Sequence, residues 1–171
     1  MSEPVGAAAA GPSLRVPTAR AMRDLGVRLA ALLCAGDLLI LSGDLGSGKT
    51  TLVQGIGEGL KVRGPITSPT FVIARVHPSL SGGPPLVHAD AYRLGGLAEV
   101  DDLDLDASMD EAVTVVEWGE GLVEELAAER LEISLAVENG ASDEHGTRIV
   151  RFTGAGDRWA EIAASVAQGG L

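Results

Sequence analysis

The sequence predicts a single α/β domain in which helices flank a mostly parallel sheet with antiparallel strands at its edges. Continuous apolar runs such as residues 38–42 are typical of strands that are buried on both faces of a parallel sheet. These runs alternate with segments of helical periodicity, which is the pattern of an α/β layer fold. The length of 171 residues fits one domain. We assign residues 13–171 to it and residues 1–12 to a disordered tail.

The first half of the domain is predicted to contain two strands and two helices. Residues 14–16 are expected to form a short edge strand, and Thr18 is expected to cap the helix that follows. Apolar residues recur in that helix at spacings of three and four: Met22, Leu25, Leu29 and Leu32 or Leu33. Gly36 should end the helix. The buried strand at 38–42 then leads through a glycine-rich turn into a second helix, which runs to about Leu60.

The second half is predicted to contain five strands and a closing helix. The strands are expected at residues 71–76, 86–89, 113–116, 131–137 and 147–152. The last two lie near a sheet edge, because their residues alternate or nearly alternate between apolar and polar types. Residues 77–85 are rich in Gly and Pro and form a loop or hairpin tip. An apolar stripe predicts a short C-terminal helix: Trp159, Ile162, Ala163 and Val166.

The composition limits the classes of function. The chain has 13 Lys plus Arg against 24 Asp plus Glu, and its net charge of −11 argues against an autonomous nucleic-acid binder. The single cysteine, Cys34, excludes a disulfide framework, and its apolar neighbours predict a buried, inert thiol. No apolar run approaches the roughly 18 residues that span a bilayer, and residues 1–12 lack the features of a signal peptide. We therefore expect a soluble, cytoplasmic protein with no membrane partner.

A glycine-rich motif between the strand at 38–42 and the second helix carries the strongest functional signal. Residues 43–50 satisfy G-x-x-x-x-G-K-[ST] in the strand–turn–helix context that this motif requires. Gly46 and Gly48 allow the backbone to curl, so that its N–H groups point at phosphate oxygens near the helix N-terminus. Lys49 is expected to contact the β- and γ-phosphates, and Thr50 to ligate Mg²⁺.

The motif therefore predicts a P-loop NTPase-like fold that binds a nucleoside triphosphate with Mg²⁺. The nucleotide-binding residues are expected to be Gly43, Asp44, Leu45, Gly46, Ser47, Gly48, Lys49, Thr50 and Thr51. The sequence contains no Asn-Lys-x-Asp pattern, the signature of guanine recognition, and this favours ATP.

Two carboxylates compete for the acid that a P-loop site needs beside its metal ion. Asp90 follows the strand at 86–89, and Glu117 follows the strand at 113–116. Because parallel strand ends converge on one crevice, both can serve, one near Mg²⁺ and one near the attacking water. The pattern alone leaves open which acid takes which role.

Three further residues carry weaker signals. Thr70 lies in a Ser-Pro-Thr turn and is expected to offer a hydroxyl to the metal or to the γ-phosphate side, as in a loop that hydrolysis releases. Arg93 could serve as an internal arginine finger, although a structural ion pair explains it equally well. Trp118 is expected either near the mouth of the cleft or in the core.

Two metal-binding interpretations are rejected. Residues 102–106 resemble a calcium loop, but Ala107 replaces the required glycine and Val113 stands where the glutamate should be. The three histidines have no partner at a metal-ligand spacing, so zinc is unsupported: His77, His88 and His145.

Taken together, these motifs resemble the TsaE (YjeE) family, the small bacterial P-loop ATPases of tRNA threonylcarbamoyladenosine synthesis. The matching segments occur in the same order as in the family and read Gly-Asp-Leu-Gly-Ser-Gly-Lys-Thr-Thr, Ser-Pro-Thr-Phe, His-Ala-Asp-Ala-Tyr-Arg-Leu and Glu-Trp. The P-loop is shared by many ATPases, but its combination with the other three motifs is specific. The resemblance covers the chain from about Leu14 to Val137. The strongly acidic segment at 97–109 departs from it.

The resemblance implies an ATPase of low intrinsic turnover that docks on the TsaB–TsaD assembly. That assembly transfers threonylcarbamoyl to the adenosine beside the tRNA anticodon. By position, Lys49 and Gly48 would bind phosphate, and Thr50 and Glu117 would bind Mg²⁺. Thr70 would belong to a switch-like loop, and Asp90 would assist hydrolysis. The charge of −11 agrees with an indirect contact to tRNA through the partner proteins.

Two alternatives remain. A small-molecule P-loop kinase would need an acceptor-binding acid pair and an arginine-bearing lid, and the sequence after Ser68 shows neither. A nucleotide-gated binding module would dock on its partners and release them, and its ATP hydrolysis would be incidental. This hypothesis overlaps with the favoured one, because a docking ATPase also needs little intrinsic turnover.

Overall fold

The architecture is a seven-stranded sheet with helices packed on it, seen in a computed structural model that describes residues 11–44, 46–67, 74–90, 110–117, 129–138 and 146–168. The strands are β1 (Ser13–Val16), β2 (Leu38–Gly43), β3 (Ala74–His77), β4 (Leu86–Asp90), β5 (Val113–Glu117), β6 (Arg130–Val137) and β7 (Arg148–Ala155). The helices within these ranges are α1 (Ala19–Ala30), α2 (Lys49–Leu60) and α3 (Asp157–Ala167).

The sheet has a parallel centre and antiparallel edges, in the order β1-β7-β6-β2-β5-β4-β3. Strands β6, β2, β5 and β4 are parallel to one another, whereas β3 pairs antiparallel with β4, β7 with β6, and β1 with β7. This confirms the predicted fold class. The register sets Leu41 opposite Glu117, and Glu117 opposite Asp90. The carboxyl ends of three central strands therefore lie side by side where the glycine-rich turn begins.

The observed strands agree with the predicted segments to within a few residues. The apolar run at 38–42 is a fully interior strand, paired in parallel on both sides, which explains why it lacks alternation. Strand β3 is described only from Ala74, since residues 71–73 of the predicted segment lie outside the described residues. It pairs with β4 across a hairpin tip, as predicted for the Gly/Pro-rich segment.

Helices α1 and α2 cross where two glycines allow their backbones to approach. The Thr18 hydroxyl accepts a hydrogen bond from the N–H of Ala21 at 3.0 Å, so the predicted N-cap is confirmed. A Cβ at Gly26 would lie 2.4 Å from the carbonyl oxygen of Leu52, and a Cβ at Gly55 would lie 2.1 Å from that of Arg23. This contact holds the helix that begins with the P-loop lysine.

The prediction of a buried Cys34 is wrong, because α1 ends at Ala30 rather than at Gly36. The side chain of Cys34 is exposed in the turn after the helix, and its N–H donates to Asp37 Oδ2 at 2.7 Å. Arg158 of α3 binds the same carboxylate with two hydrogen bonds, at 2.6 and 2.9 Å. This contact between distant parts of the chain shapes the turn, so the apolar periodicity alone overestimates the helix.

The core occupies the face of the sheet that α1 and α2 cover. Apolar side chains of the central strands point into it: Leu39, Leu41, Val113, Val115, Leu131, Ile133 and Leu135. Phe152 and Trp159 extend the core beneath α3. Within the described residues, no helix is long and apolar enough to cross a membrane.

Candidate nucleotide-binding site

The glycine-rich segment forms a tight loop between β2 and α2, as the motif predicts. Gly46 and Gly48 have φ angles of 81° and 105°, which side chains other than glycine rarely adopt. Gly48 is also the N-cap of α2, so the loop runs directly into the positive end of the helix dipole. Such a loop presents backbone N–H groups to an anion. Leu45 lies outside the described residues.

Lys49 places its ammonium group inside the curve of this loop. Its Nζ donates to the carbonyl oxygens of Gly43 at 2.6 Å and Asp44 at 3.0 Å, and the residue is only 6% exposed. Burial lowers the pKa of Lys49, while the carboxylates of Glu117, Asp44 and Asp90 act in the opposite direction. Lys49, Glu117 and Asp90 are therefore close enough to influence one another electrostatically.

The hydroxyl of Thr50 contacts the carboxylate at the end of β5. Thr50 Oγ1 donates a hydrogen bond to Glu117 Oε1 at 3.3 Å, and Glu117 is only 2% exposed. A hydroxyl has one hydrogen and two lone pairs, so this donation leaves lone pairs able to face a cation. Hydroxyl and carboxylate oxygens are ligands that Mg²⁺ accepts. The oxygen donors at Thr50 and Glu117 therefore fit this ion.

Within the described ranges, no group of three or more His, Cys, Asp or Glu side chains could hold a metal ion. Mg²⁺ at nucleotide sites is usually held by one or two protein oxygens together with phosphate oxygens and water. Thr50 and Glu117 supply two such protein oxygens.

Asp90 is the neighbour of Glu117 across the sheet. It is the last residue of β4, is buried, and pairs in register with Glu117. Adjacent strands lie about 4.8 Å apart. Strand β2 leads into the glycine-rich loop, so Asp90 lies one strand further from that loop than Glu117 does.

His88 is a buried polar residue at this site to which the sequence analysis gave no role. Its Nε2 lies 3.1 Å from Glu117 Oε1, and its side chain is fully buried. It stands two residues before Asp90 on β4, so both side chains lie on the same face of the sheet. That spacing is the signal by which the sequence could have placed it at the site.

A cavity of about 240 Å³ opens beside the loop. Residues at the start of α1, in the glycine-rich loop, in the first turn of α2 and at or just before the start of β7 line this cavity. They are Thr18, Ala19, Met22, Gly46, Gly48, Thr51, Gly146 and Arg148. The guanidinium of Arg148 donates from Nη2 to the Gly46 carbonyl at 3.2 Å and from Nη1 to the Gly146 carbonyl. No sequence motif pointed to Arg148, whereas Thr51 was expected to contact the nucleotide.

The remaining candidates fall on parts of the chain that the structure does not describe. These are Thr70, Arg93 and Trp118, together with the acidic segment at 97–109.

His77 belongs to β3, and its Nδ1 lies 3.1 Å from the Arg63 carbonyl oxygen, so it takes part in a backbone contact.

Comparison with known proteins gives consistent matches. A family model described as threonylcarbamoyl adenosine biosynthesis protein TsaE matches residues 16–147. The tRNA threonylcarbamoyladenosine biosynthesis protein TsaE of Streptomyces coelicolor is 62% identical over 151 residues, which are 86% of this chain and 100% of that protein. The protein of the same name from Mycobacterium tuberculosis is 49% identical over 132 residues, or 73% of this chain and 79% of the relative. The crystal structure of Bacillus subtilis YdiB superimposes with a TM-score of 0.69 at 32% identity, covering 92% of this chain and 93% of that one.

Proposed function

The chain belongs to the TsaE family, and from this premise we propose that it is a Mg²⁺-dependent ATPase of tRNA threonylcarbamoyladenosine biosynthesis. The observation that carries the proposal is the hydrogen bond between Thr50 and Glu117, beside a loop that encloses the Lys49 ammonium. A glycine-rich turn with a structural role alone would not require a buried cation and a buried acid at its mouth, since burying charges is costly.

The proposed chemistry assigns one task to each group. The loop N–H groups and the Lys49 ammonium bind the phosphates and stabilise the charge that develops during transfer. Thr50 Oγ1 and Glu117 would hold Mg²⁺, which supplies neutralisation of the β- and γ-phosphate oxygens when bound. Asp90 is proposed to orient the attacking water and to accept its proton. The segment that contains Thr70 is proposed to respond to the γ-phosphate.

We propose further that the chain acts by docking on the TsaB–TsaD assembly. The similarity to proteins named for tRNA threonylcarbamoyladenosine biosynthesis supports the pathway. The net charge of −11 supports a division of labour in which the partner proteins contact the tRNA. A low intrinsic turnover suits a switch that binds and releases its partners.

The test measures Mg·ATP hydrolysis by the chain, with and without a bacterial TsaB–TsaD assembly, and complex formation in the same samples. We expect association that depends on the nucleotide, together with altered turnover. Lys49→Ala should abolish tight ATP binding. Lys61→Asn is the matched control, because it removes an exposed cation at a position with φ of 57°, which asparagine tolerates.

The outcomes separate the parts of the proposal. Ordinary ATP binding by Lys49→Ala would overturn the P-loop assignment. ATP hydrolysis without any association would be consistent with the proposed ATPase activity but would overturn the proposed docking. A screen of small phosphate acceptors would then test the kinase alternative.

A further inference from the structure

His88 is a polar side chain in a position that otherwise suits an apolar one. It lies in the middle of β4, is fully buried, and pairs with Val115 on the neighbouring strand. Leu86, two residues earlier on the same face, belongs to the hydrophobic core. Within the described part of the chain, neither ring nitrogen makes a hydrogen bond of regular geometry. Burying an unsatisfied imidazole opposes folding, so the presence of a histidine at this position requires an explanation.

That contact is with the carboxylate of Glu117. His88 Nε2 and Glu117 Oε1 are 3.1 Å apart, which is within hydrogen-bond distance. The χ2 torsion of histidine has a broad energy well, which gives the ring freedom to direct an Nε2 hydrogen toward this oxygen. The neutral imidazole suffices for this contact, provided that its hydrogen is on Nε2.

The same carboxylate oxygen also accepts a hydrogen bond from the hydroxyl of Thr50. Thr50 Oγ1 is 3.3 Å from Glu117 Oε1, so contacts from β4 and from α2 converge on one atom. Two contacts on one oxygen restrict rotation of the carboxylate about its last torsion. The direction of the other oxygen, Oε2, is thereby restricted as well.

We propose that His88 is a positioning residue that holds the Glu117 carboxylate in the orientation needed to bind Mg²⁺. This inference rests on the proposed function, because it takes Glu117 to be the acid on the metal side. Groups that orient a ligating side chain commonly change metal affinity by about 10- to 100-fold when they are removed. His88 itself does not contact the metal or the nucleotide in this scheme.

The experiment compares three substitutions at His88. Glutamine places its amide nitrogen near the position of Nε2, asparagine places its amide nitrogen near the position of Nδ1, and leucine has no donor. The readout is binding of a fluorescent ATP analogue as Mg²⁺ is titrated, with binding in EDTA and the thermal midpoint measured for each variant. We expect His88→Leu and His88→Asn to raise the half-saturating Mg²⁺ concentration by about 10- to 100-fold. Binding in EDTA should stay unchanged, and His88→Gln should restore most of the Mg²⁺ response.

Glu117→Ala separates this inference from the function on which it rests. If His88 acts through Glu117, His88→Leu should add little to the effect of Glu117→Ala in the double variant. Full additivity, an unchanged Mg²⁺ response in His88→Leu, or equal impairment of the Gln and Leu variants would overturn the role of His88 alone. An unchanged Mg²⁺ response in Glu117→Ala would overturn the metal assignment itself.

Discussion

Gly55 lies where α2 crosses α1, and its replacement by alanine tests whether this contact holds the P-loop helix in place. A Cβ at position 55 would stand 2.1 Å from the carbonyl oxygen of Arg23 and 3.0 Å from the Cα of Gly26. Carbon–oxygen contacts in proteins settle at about 3.3 Å or more. The two helices would therefore have to separate by about 1 Å, and α2 carries Lys49 and Thr50 at its first turn.

Two effects of the substitution oppose each other. Alanine is favoured over glycine within a helix by about 1 kcal/mol. Overpacking of a core contact costs about 1–3 kcal/mol and occasionally more. Because the clash is with backbone atoms, which cannot rotate away, we place it at the upper end and expect a net loss of about 2 kcal/mol. For a chain of this size that corresponds to a Tm lower by about 4–8 °C.

Gly57→Ala supplies a matched control on the same helix. A Cβ at position 57 would meet Ile66 Cδ1 at 2.0 Å, and this atom is the tip of a flexible side chain that can adopt another rotamer. The Tm of Gly57→Ala should therefore fall by less than that of Gly55→Ala, as measured by circular dichroism. Equal losses in the two variants, or a Gly55→Ala variant as stable as the wild type, would refute the idea that the helix crossing is a rigid backbone contact.

Three further predictions concern the site and its surroundings. Thr50→Val should raise the Mg²⁺ requirement of nucleotide binding about tenfold or more, because a hydrogen bond to a charged group is worth about 1.5–3 kcal/mol. Thr50→Ser, which keeps the hydroxyl, should stay near the wild type, and loss in both would refute the role of the hydroxyl. Arg148→Ala should weaken ATP binding about tenfold in a fluorescence titration, because it removes the donor that holds the Gly46 carbonyl beside the cavity. Arg151→Ala, an exposed position on the same strand, should not change the affinity. Burial lowers the pKa of His77 below its usual 6.5, so as the pH falls through about 6.5 the unfolded chain takes up a proton before the folded chain does, and stability should fall. His77→Asn should flatten this loss in urea denaturation measured at each pH, and an identical pH profile would count against the buried neutral imidazole.

The parts of the molecule that the sequence predicts are those encoded by neighbours along the chain. The loop at Gly43–Gly48 follows from local chemistry, because left-handed glycines, a lysine and the start of a helix occur in one short segment. The cap at Thr18 follows likewise from its side-chain oxygen and the N–H three residues later. Strand β2 was recognisable because a strand buried on both faces needs apolar residues throughout.

The parts that it does not predict depend on distant residues. Arg148 reaches the P-loop across 102 positions, and Arg158 reaches Asp37 across 121. The spacing of apolar residues along the chain gives no information about such contacts. The error at Cys34 has the same origin, since apolar spacing alone favours a longer helix and the Asp37–Arg158 contact belongs to the observed turn.

The order of the strands distinguishes the two acids that the sequence left equivalent. Both Asp90 and Glu117 end buried parallel strands at the same level of the sheet. Strand β5 lies between β2 and β4, so Glu117 neighbours the strand that enters the loop, and Asp90 stands about 4.8 Å further away. Glu117 can therefore hydrogen-bond to Thr50 at the first turn of α2. An exchange of β4 and β5 in the sheet would exchange these two neighbourhoods without any change in either local sequence motif.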